Sequence, residues 1–183
     1  MSKQKIITII GSRETPKPAL DMLRKIAAYC ASHGIVVRSG KAGGADAAAA
    51  LGCEDALKYN KLNATPEMYI PWPKFGNELV RNWDSVQGSN SAAETIAESI
   101  HPAWSKCSQG ARKLHTRNVC QILGHDLNTP SDVVLYWCKE RGGQPTGGTS
   151  TAVNLGKKHG CLTINMLHND TWGDLLRPFL EAV

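Results

Sequence analysis

Short apolar runs alternate along the chain with longer segments in which apolar positions recur at helical spacing. The first run, Ile6–Ile10, is β-branched throughout and closed by Gly11, as is typical of a strand buried on both faces of a parallel sheet. Further runs predict strands at 35–38, 68–70, 133–137 and 162–165. The intervening segments predict a helix from Pro16 or Pro18 to a cap at Gly34, then helices at 45–59, 92–100, 108–123 and 148–159, and a last one from Asp170 or Thr171.

Strands that alternate with helices predict an α/β fold. We expect a Rossmann-like three-layer sandwich with a mainly parallel sheet of about five strands. The absence of repeats and linkers predicts a single domain over residues 1–183. Residues 74–89 have a weak pattern and predict a loop, and no role is assigned to 74–106. Asn90 or Ser91 is suited to cap the next helix, with Glu94 placed for a capping box.

Candidate ligand residues are expected just after these strands, because ligands bind beyond the carboxyl ends of parallel strands. Gly11, Ser12 and Arg13 directly follow the first strand. Glycine permits a tight turn, the hydroxyl can donate to a phosphate, and the guanidinium fork suits phosphate or carboxylate. The alternative is an ordinary turn with an exposed arginine.

A glycine-rich turn follows the second strand and reads Ser-Gly-Lys-Ala-Gly-Gly-Ala-Asp over residues 39–46. It has neither the dinucleotide fingerprint nor the Gly-Lys-Ser/Thr of a P-loop. Its adjacent glycines still present backbone N–H groups at a helix start, which favours anions. Asp46 is suited equally to capping the helix and to binding a ribose hydroxyl. The candidate ligand residues in this turn are Ser39, Gly40, Gly43, Gly44 and Asp46.

A second glycine-rich turn follows the strand at 133–137 and opens another helix. It combines Gly147 and Gly148 with the hydroxyls of Thr149, Ser150 and Thr151. Hydroxyls at a helix start can cap the helix or bind phosphate oxygens. Two such turns in one α/β chain predict a shared pocket for a phosphorylated small molecule.

Arg117 and Asn118 lie on the helix before that strand, where they would either reach the same pocket or lie on an exposed helix face. Acidic residues are present without forming a recognisable pair, so we assign no catalytic residue. The acids considered are Glu54, Asp55, Asp84 and Glu94.

Composition narrows the function classes only slightly. The net charge of +5 is scattered along the 183 residues, so it is compatible with phosphate binding without arguing for nucleic acid. The five tryptophans are suited to the core or to stacking on a base. Six cysteines without CxxC or CxxH pairing, and six histidines without metal-ligand spacing, predict free thiols in a reducing compartment and no metal site. With no visible signal peptide and no membrane-length apolar run, we expect a cytoplasmic protein.

Taken together, these motifs resemble the SLOG superfamily, which includes the Smf/DprA proteins, the LOG nucleotide phosphoribohydrolases and the YspA-like proteins. The order and spacing are most similar to the YspA-like branch, often encoded by phages and bacteria. The resemblance covers roughly residues 5 to 168, apart from 74–106. It implies a Rossmann-like fold that binds nucleotides or nucleotide-derived molecules at the two glycine turns. The residues that carry it are Gly11 to Arg13, the 39–46 turn, Arg117, Asn118, residues 132–135 and Gly147 to Thr149.

One departure from the LOG pattern bears on catalysis. LOG enzymes carry Pro-Gly-Gly-x-Gly-Thr-x-x-Glu, whose glutamate serves hydrolysis of an N-glycosidic bond. The corresponding stretch begins at Thr146, has Ser150 at the third glycine, and has Asn154 at the glutamate. An amide cannot act as a general base or carry a stabilising negative charge. The sequence therefore argues against LOG chemistry by the usual route.

Three functions remain open at this point. The first is a sensor, carrier or sequestering protein for a nucleotide or an ADP-ribose-like ligand. The second is a hydrolase of an N-glycosidic or phosphate bond, in which Asp46 or Glu94 would replace the missing glutamate. The third is a DprA-like binder of single-stranded DNA. No cofactor is expected, and self-association, most simply as a homodimer, is the expected assembly.

Overall fold

Eight strands and six α-helices make up the computed structural model, which describes residues 4–168 and 171–182. The strands are β1 (Ile6–Gly11), β2 (Val36–Ser39), β3 (Glu67–Ile70), β4 (Asp84–Val86), β5 (Val133–Trp137), β6 (Glu140–Arg141), β7 (Gln144–Pro145) and β8 (Leu162–Asn165). The helices are α1 (Lys17–Ser32), α2 (Ala45–Lys58), α3 (Ser91–Ile100), α4 (Gln109–Leu123), α5 (Gly148–Lys158) and α6 (Trp172–Glu181), with a 3-10 turn at Trp104–Lys106.

The central sheet has the strand order β4-β3-β2-β1-β5-β8, and every neighbouring pair is parallel. The predicted α/β class is therefore confirmed, with six strands in the sheet where about five were expected. From β1 the chain builds outward in one direction to β4 and then crosses back to place β5 on the other side of β1. The boundary between β1 and β5 is thus a topological switch point, where a ligand crevice is expected.

The two faces of the sheet are covered by different helices. Ile7, Ile9 and Leu135 pack against α1, α2 and α6, whereas Ile10 and Val134 pack against α3, α4 and α5. Successive side chains of a strand point to opposite faces, so continuous apolar runs such as β1 and β5 fill both layers at once. This burial on both faces is the physical reason for the three-layer sandwich.

The prediction of a loop over residues 74–89 is wrong at one place. Asp84–Val86 forms edge strand β4, which pairs with β3 from Met68↔Asp84 to Ile70↔Val86. A three-residue strand with one large apolar side chain carries no periodic signal, so only its pairing with β3 defines it. The unassigned segment 74–106 therefore contributes β4, α3 and the 3-10 turn.

The segment between β5 and the second glycine turn also contains unpredicted structure. Strands β6 and β7 pair in antiparallel fashion around Gly142 and Gly143, whose φ angles are 57° and 72°. Two central residues with positive φ define the tight hairpin turn that suits the twist of paired strands. Gly147, the N-cap residue of α5, follows two residues after the end of this hairpin.

Helix ends agree closely with the predicted ones, with differences in the caps. Asn90 caps α3 by accepting from the N–H of Ala93 at 3.0 Å, which leaves Glu94 one position too late for a capping box. The C-cap of α1 is His33, and Gly34 follows with φ +77°. Thr171 precedes α6, while Asp170 lies outside the described residues. None of the helices within residues 4–168 and 171–182 is both long and apolar enough to cross a membrane.

Candidate ligand-binding site

A cavity of about 380 Å³ opens at the carboxyl end of β1, beside the switch point between β1 and β5. Its wall includes the turn after β1, the first turns of α2 and α5, and one face of α4. Of the predicted ligand residues, Gly11, Ser12, Arg13, Asp46, Arg117, Asn118, Gly147, Gly148 and Thr149 line this cavity. The turn after β1, the start of α2, and the turn before α5 therefore contribute to a single cavity.

The turn after β1 is held close to the neighbouring strand. The N–H of Ser12 donates to the carbonyl of Trp137 at 2.9 Å, and a side chain at Gly11 would meet the same carbonyl at 2.6 Å. The Ser12 hydroxyl accepts from the N–H of Glu14 at 3.0 Å, which leaves its own hydrogen free to donate elsewhere. Arg13 is exposed on the cavity wall, where its guanidinium is available to an anion.

The 39–46 turn supports the site more than it lines it. Gly40 lies against the side chains of Arg117 and Asp46, and Gly44, with φ +94°, lies against the backbone of Ser12. Gly43 lines a neighbouring cleft, and Ser39 is buried, with its hydroxyl donating to the carbonyl of Ile9. The glycines at 40 and 44 therefore bring the turn close to its neighbours, while Asp46 is the predicted residue of this turn that reaches the cavity.

Asp46 and Arg117 form a buried ion pair on the cavity wall. The distance from Arg117 Nη1 to Asp46 Oδ2 is 2.8 Å, and the two residues are 4% and 3% exposed. Gln121 Nε2 donates to the same carboxylate oxygen at 3.4 Å. The sequence offered capping or ribose binding for Asp46, whereas the structure adds a third role: the pair joins the start of α2 to α4.

The second glycine turn is shaped by local hydrogen bonds. The Ser150 hydroxyl and N–H both donate to the carbonyl of Gly147, at 2.7 and 3.1 Å. Ser150 and Thr151 therefore lie beside the site without lining it. The N–H groups of Gly148 and Thr149 lie in the first turn of α5, where a helix offers them no acceptor. Across the cavity, Asn118 Nδ2 donates to the Gly148 carbonyl at 3.4 Å.

Different physical arguments account for glycine at the two positions of this turn. Gly147 has φ +69°, which favours glycine at that position. Gly148 lies outside the positive-φ region, and a Cβ placed on it would meet nothing within 4 Å among the described residues. Neither backbone conformation nor packing thus requires glycine at 148, whereas close approach of a ligand would.

Several cavity residues were missed by sequence reasoning. Helix α4 contributes Ala111, Leu114, His115, Asn118 and Gln121, whose spacing of three and four places them on one helix face. That spacing was a usable signal once Asn118 had been selected. The remaining unpredicted lining residues are Ile10, Glu14, Ala42 and Thr146.

Two polar atoms on the cavity residues are buried without a hydrogen-bond partner among the described residues, Nδ1 of His115 and Nε of Arg117. Burial lowers the pKa of His115 to about 4, with further lowering from His101 and Arg117, so its ring is neutral at pH 7. Buried polar atoms are nearly always paired in folded proteins. These two atoms therefore have hydrogen-bonding capacity that the described residues leave unused.

Among the residues that the structure describes, the cavity wall has two acidic side chains, and both lie in ion pairs. Asp46 is paired with Arg117, and Glu14 Oε2 lies 2.7 Å from Lys139 Nζ at the exposed rim. The hydrogen bond from Lys139 and its charge hold the pKa of Glu14 below its ordinary value. Asn154, at the position of the LOG glutamate, is exposed on α5 and does not line the cavity. The five tryptophans, all within the described residues, also lie outside the cavity wall.

Comparison with known proteins supports the fold and part of the resemblance. The model of a family described as DNA recombination-mediator protein A matches residues 1–63, about a third of the chain. A search of the curated proteins found no match. The family match and the Rossmann-like fold both fit the SLOG superfamily.

Among solved structures, the chain is similar to the Moco carrier protein of Chlamydomonas rheinhardtii, with a TM-score of 0.51 and 18% identity over 89% of this chain and 76% of that one. The DNA processing protein A of Streptococcus pneumoniae has a TM-score of 0.47 and 12% identity, over 98% of this chain and 56% of that one. The DNA processing protein A of Helicobacter pylori is described with a single-stranded DNA binding mode. Its TM-score is 0.43, with 14% identity over 98% of this chain and 81% of that one. At these identities, the similarity to the carrier protein establishes a shared fold.

Proposed function

We propose that the chain binds a nucleotide or a nucleotide-derived phosphorylated molecule in the cavity between the two glycine turns, as a sensor, carrier or sequestering protein. The observation that carries the proposal is that Gly11 to Arg13, Asp46 and Gly147 to Thr149 line one cavity. These segments are far apart in the chain, so their convergence supports one shared ligand.

The polar groups of the cavity favour a phosphate. The first-turn N–H groups of α5 lie at the positive end of its helix dipole, and Arg13 adds a full positive charge. A volume of about 380 Å³ lies within the range of small-molecule sites. Ile10, Ala42 and Leu114 supply apolar wall for the uncharged part of the ligand.

A binding role is supported over hydrolysis by the state of the acids. Within the described part of the chain, Asp46 and Glu14 are the carboxylates of the cavity wall, and each lies in an ion pair. A carboxylate held in an ion pair is a weaker proton acceptor than an unpaired one, and is therefore a poorer general base. Glu94, the other acid proposed as a replacement, lies on α3 and lines a separate cleft.

Calorimetric titration with AMP, ADP-ribose, adenosine and inorganic phosphate tests the proposal. We expect AMP or ADP-ribose to bind and to raise the Tm, and adenosine to bind at least about tenfold more weakly because it lacks the phosphate. Binding of none of the four would contradict the proposal. Chromatography of the same mixtures distinguishes binding from hydrolysis, because a hydrolase would release free base or ribose.

Single-stranded DNA is a second candidate, favoured by the match of residues 1–63 to DNA recombination-mediator protein A. The matched segment includes Gly11 to Arg13 and the 39–46 turn. Gel shifts with an unstructured oligonucleotide at two salt concentrations test it, since phosphate-driven binding weakens steeply with salt. Binding that is absent at low salt would remove this candidate.

The proposal extends to domain organisation, localisation and self-association. We place the whole chain in one SLOG-like Rossmann domain of the cytoplasm, a reducing compartment in which cysteine side chains stay reduced. Self-association as a homodimer is tested by light scattering on a sizing column. The YspA-like branch and a phage origin stay predictions.

A further inference from the structure

Two imidazoles and one thiol converge where α3, the 3-10 turn and α4 meet. His101 caps the end of α3, Cys107 follows the 3-10 turn, and His115 lies in the middle of α4. One donor atom from each lies within 4.8 Å of the other two. The spacing of six and eight residues along the chain matches no common metal motif, which is why the sequence predicted no metal site.

The separations within the cluster approach those around a bound ion. Cys107 Sγ lies 3.8 Å from both ring nitrogens of His101. In tetrahedral zinc, with Zn–S about 2.3 Å and Zn–N about 2.0–2.1 Å, a sulfur and a nitrogen ligand are about 3.6 Å apart. The cysteine and the first histidine are therefore nearly in place. Because the three donor atoms lie within 4.8 Å of one another, gathering them around one ion requires a side-chain movement of at most roughly 1–1.5 Å.

The donor atoms differ in their present partners. His115 Nδ1 is buried without a partner among the described residues, so its coordination would satisfy an otherwise unpaired atom. His101 Nδ1 accepts from the N–H of Ala103 at 3.2 Å, a long bond that a metal at this nitrogen would displace. The weak contact of Cys107 Sγ with the Ala103 carbonyl, at 3.7 Å, would be lost on deprotonation.

Charge near the cluster makes the thiolate essential. Arg112 and Arg117 lie on α4, three residues before and two after His115, and Arg112 lies 5.4 Å from the ring of Trp104, which contacts His101. Positively charged side chains repel a divalent cation, and two neutral imidazole ligands supply no negative charge to compensate. The Cys107 thiolate would supply the negative charge, so its loss should weaken binding more than the loss of either histidine.

We propose that His101, Cys107 and His115 form a binding site for a divalent transition-metal ion of the zinc class. Two nitrogens and one thiolate sulfur match the ligand preferences of zinc and its chemical substitute cobalt. Three protein ligands leave the fourth tetrahedral position to water or an added ligand. Because His115 also lines the cavity, the metal site adjoins the proposed nucleotide site.

Titration of chelator-treated full-length protein with Co²⁺ tests the proposal directly. Thiolate coordination produces a sulfur-to-cobalt charge-transfer band, which we expect to saturate at one ion per chain and to disappear on addition of Zn²⁺. Cys107→Ser should abolish the band, and His115→Gln should weaken Co²⁺ affinity by about a hundredfold, since even residues that only support a ligand change affinity 10–100-fold. The matched control is His159→Gln, at the exposed C-cap residue of α5, which should bind like the wild type.

Thiol labelling gives an independent measurement. Among the six cysteines, all within the described range, Cys107 is the one that is not buried. Burial raises the pKa of Cys30 and Cys120 to about 12, so alkylation near pH 7.5 should select Cys107. We expect Zn²⁺ to protect this thiol in the wild type and much less in His115→Gln.

Unfolding curves of the metal-free variants separate loss of binding from loss of folding. A wild-type protein without the charge-transfer band would overturn the proposal. Equal Zn²⁺ affinity of the wild type and a folded Cys107→Ser variant would do the same. Both outcomes are independent of whether the neighbouring cavity binds a nucleotide.

Discussion

The guanidinium of Arg117 lies 2.8 Å from the carboxylate of Asp46, although 71 positions separate the two residues. Asp46 belongs to the first turn of α2, under one face of the sheet, and Arg117 to α4, under the other. The pair therefore joins the two helix layers beyond the end of β1. Gly40 makes the approach feasible, because a Cβ there would meet Asp46 Oδ2 at 2.7 Å and would also meet the guanidinium.

Removing either partner should destabilise the protein strongly. Asp46→Asn or Arg117→Gln leaves the other charge buried and uncompensated, which costs about 3–5 kcal/mol. Urea denaturation should show this loss in each single variant, while the double variant should lose clearly less than the sum of the two.

The pair between Arg24 and Asp55 provides the matched control. Its atoms are also close, at 2.6 Å, but Arg24 is 45% exposed and Asp55 32%. An exposed pair contributes about 1 kcal/mol or less, so Arg24→Gln should have a small effect. Similar losses of unfolding free energy at the two ion pairs would contradict the view that burial makes the Asp46–Arg117 pair important.

The glycines of the 39–46 turn should differ sharply in their tolerance of a side chain. Gly44 has φ +94°, and a Cβ there would lie 2.5 Å from the carbonyl oxygen of Ser12. Gly44→Ala should therefore lower the free energy of unfolding by about 2 kcal/mol or more. Gly43→Ala, where the new Cβ has open space and an ordinary φ, should change it by less than about 0.5 kcal/mol. Equal stabilities of the two variants, measured in urea, would show that the turn relaxes freely.

The fold could be predicted from sequence wherever one pattern repeats over several residues. Runs such as β1 are apolar on both faces, and α4 ends at a glycine after fifteen residues, so these elements have clear signals. Strand β4 has three residues and exists through its pairing with β3, so no local pattern could indicate it. The β6–β7 hairpin had a signal in Gly142 and Gly143, because adjacent glycines favour tight hairpin turns.

Residues of the cavity wall could be predicted where backbone chemistry places them there, and were missed where tertiary contacts do; that they bind a ligand stays a prediction. Glycines after strands indicate close backbone approach, and Gly11 and Gly148 both line the cavity. The partnership of Asp46 with Arg117 depends on how α2 and α4 meet across the sheet, which residue spacing does not encode. The cluster of His101, Cys107 and His115 was missed because a turn and two helices form it, rather than a continuous motif.

Acid should weaken the hairpin that leads to the second glycine turn. Asn165 Nδ2 donates to Glu140 Oε1 at 2.8 Å, and this bond, with help from His168, holds the pKa of Glu140 below its ordinary value of 4.5. A lowered carboxyl pKa means that the unfolded chain binds the proton more readily than the folded one. The stabilisation is therefore present above pH 4.5 and is lost as the pH falls through the lowered folded-state value.

Glu140→Gln tests this pH dependence. The variant should lose about 1 kcal/mol at pH 7, because an amide replaces a charged acceptor, and its stability should fall less than that of the wild type between pH 5 and pH 3. Asp174→Asn, in an exposed i,i+3 contact with Arg177, is the control and should leave the acid profile nearly unchanged. Parallel pH profiles for Glu140→Gln and the wild type, measured by urea denaturation, would contradict the assignment.

Gly148 provides the most direct test of the cavity, because no contact within residues 4–168 and 171–182 requires a glycine there. Its Cβ position is open and its φ is ordinary, so Gly148→Ala should leave stability unchanged or slightly raised, by up to about 0.5–1 kcal/mol in a helix. The added methyl group would nevertheless occupy space beside the first-turn N–H groups of α5. We expect it to weaken binding of the phosphorylated ligand by at least about tenfold, or 1.4 kcal/mol.

Gly173→Ala, an equally open glycine on α6 away from the cavity, should leave both stability and affinity close to wild type. Calorimetric titration of the three proteins with AMP decides the matter, and undiminished affinity in a folded Gly148→Ala variant would show that the ligand does not approach this turn.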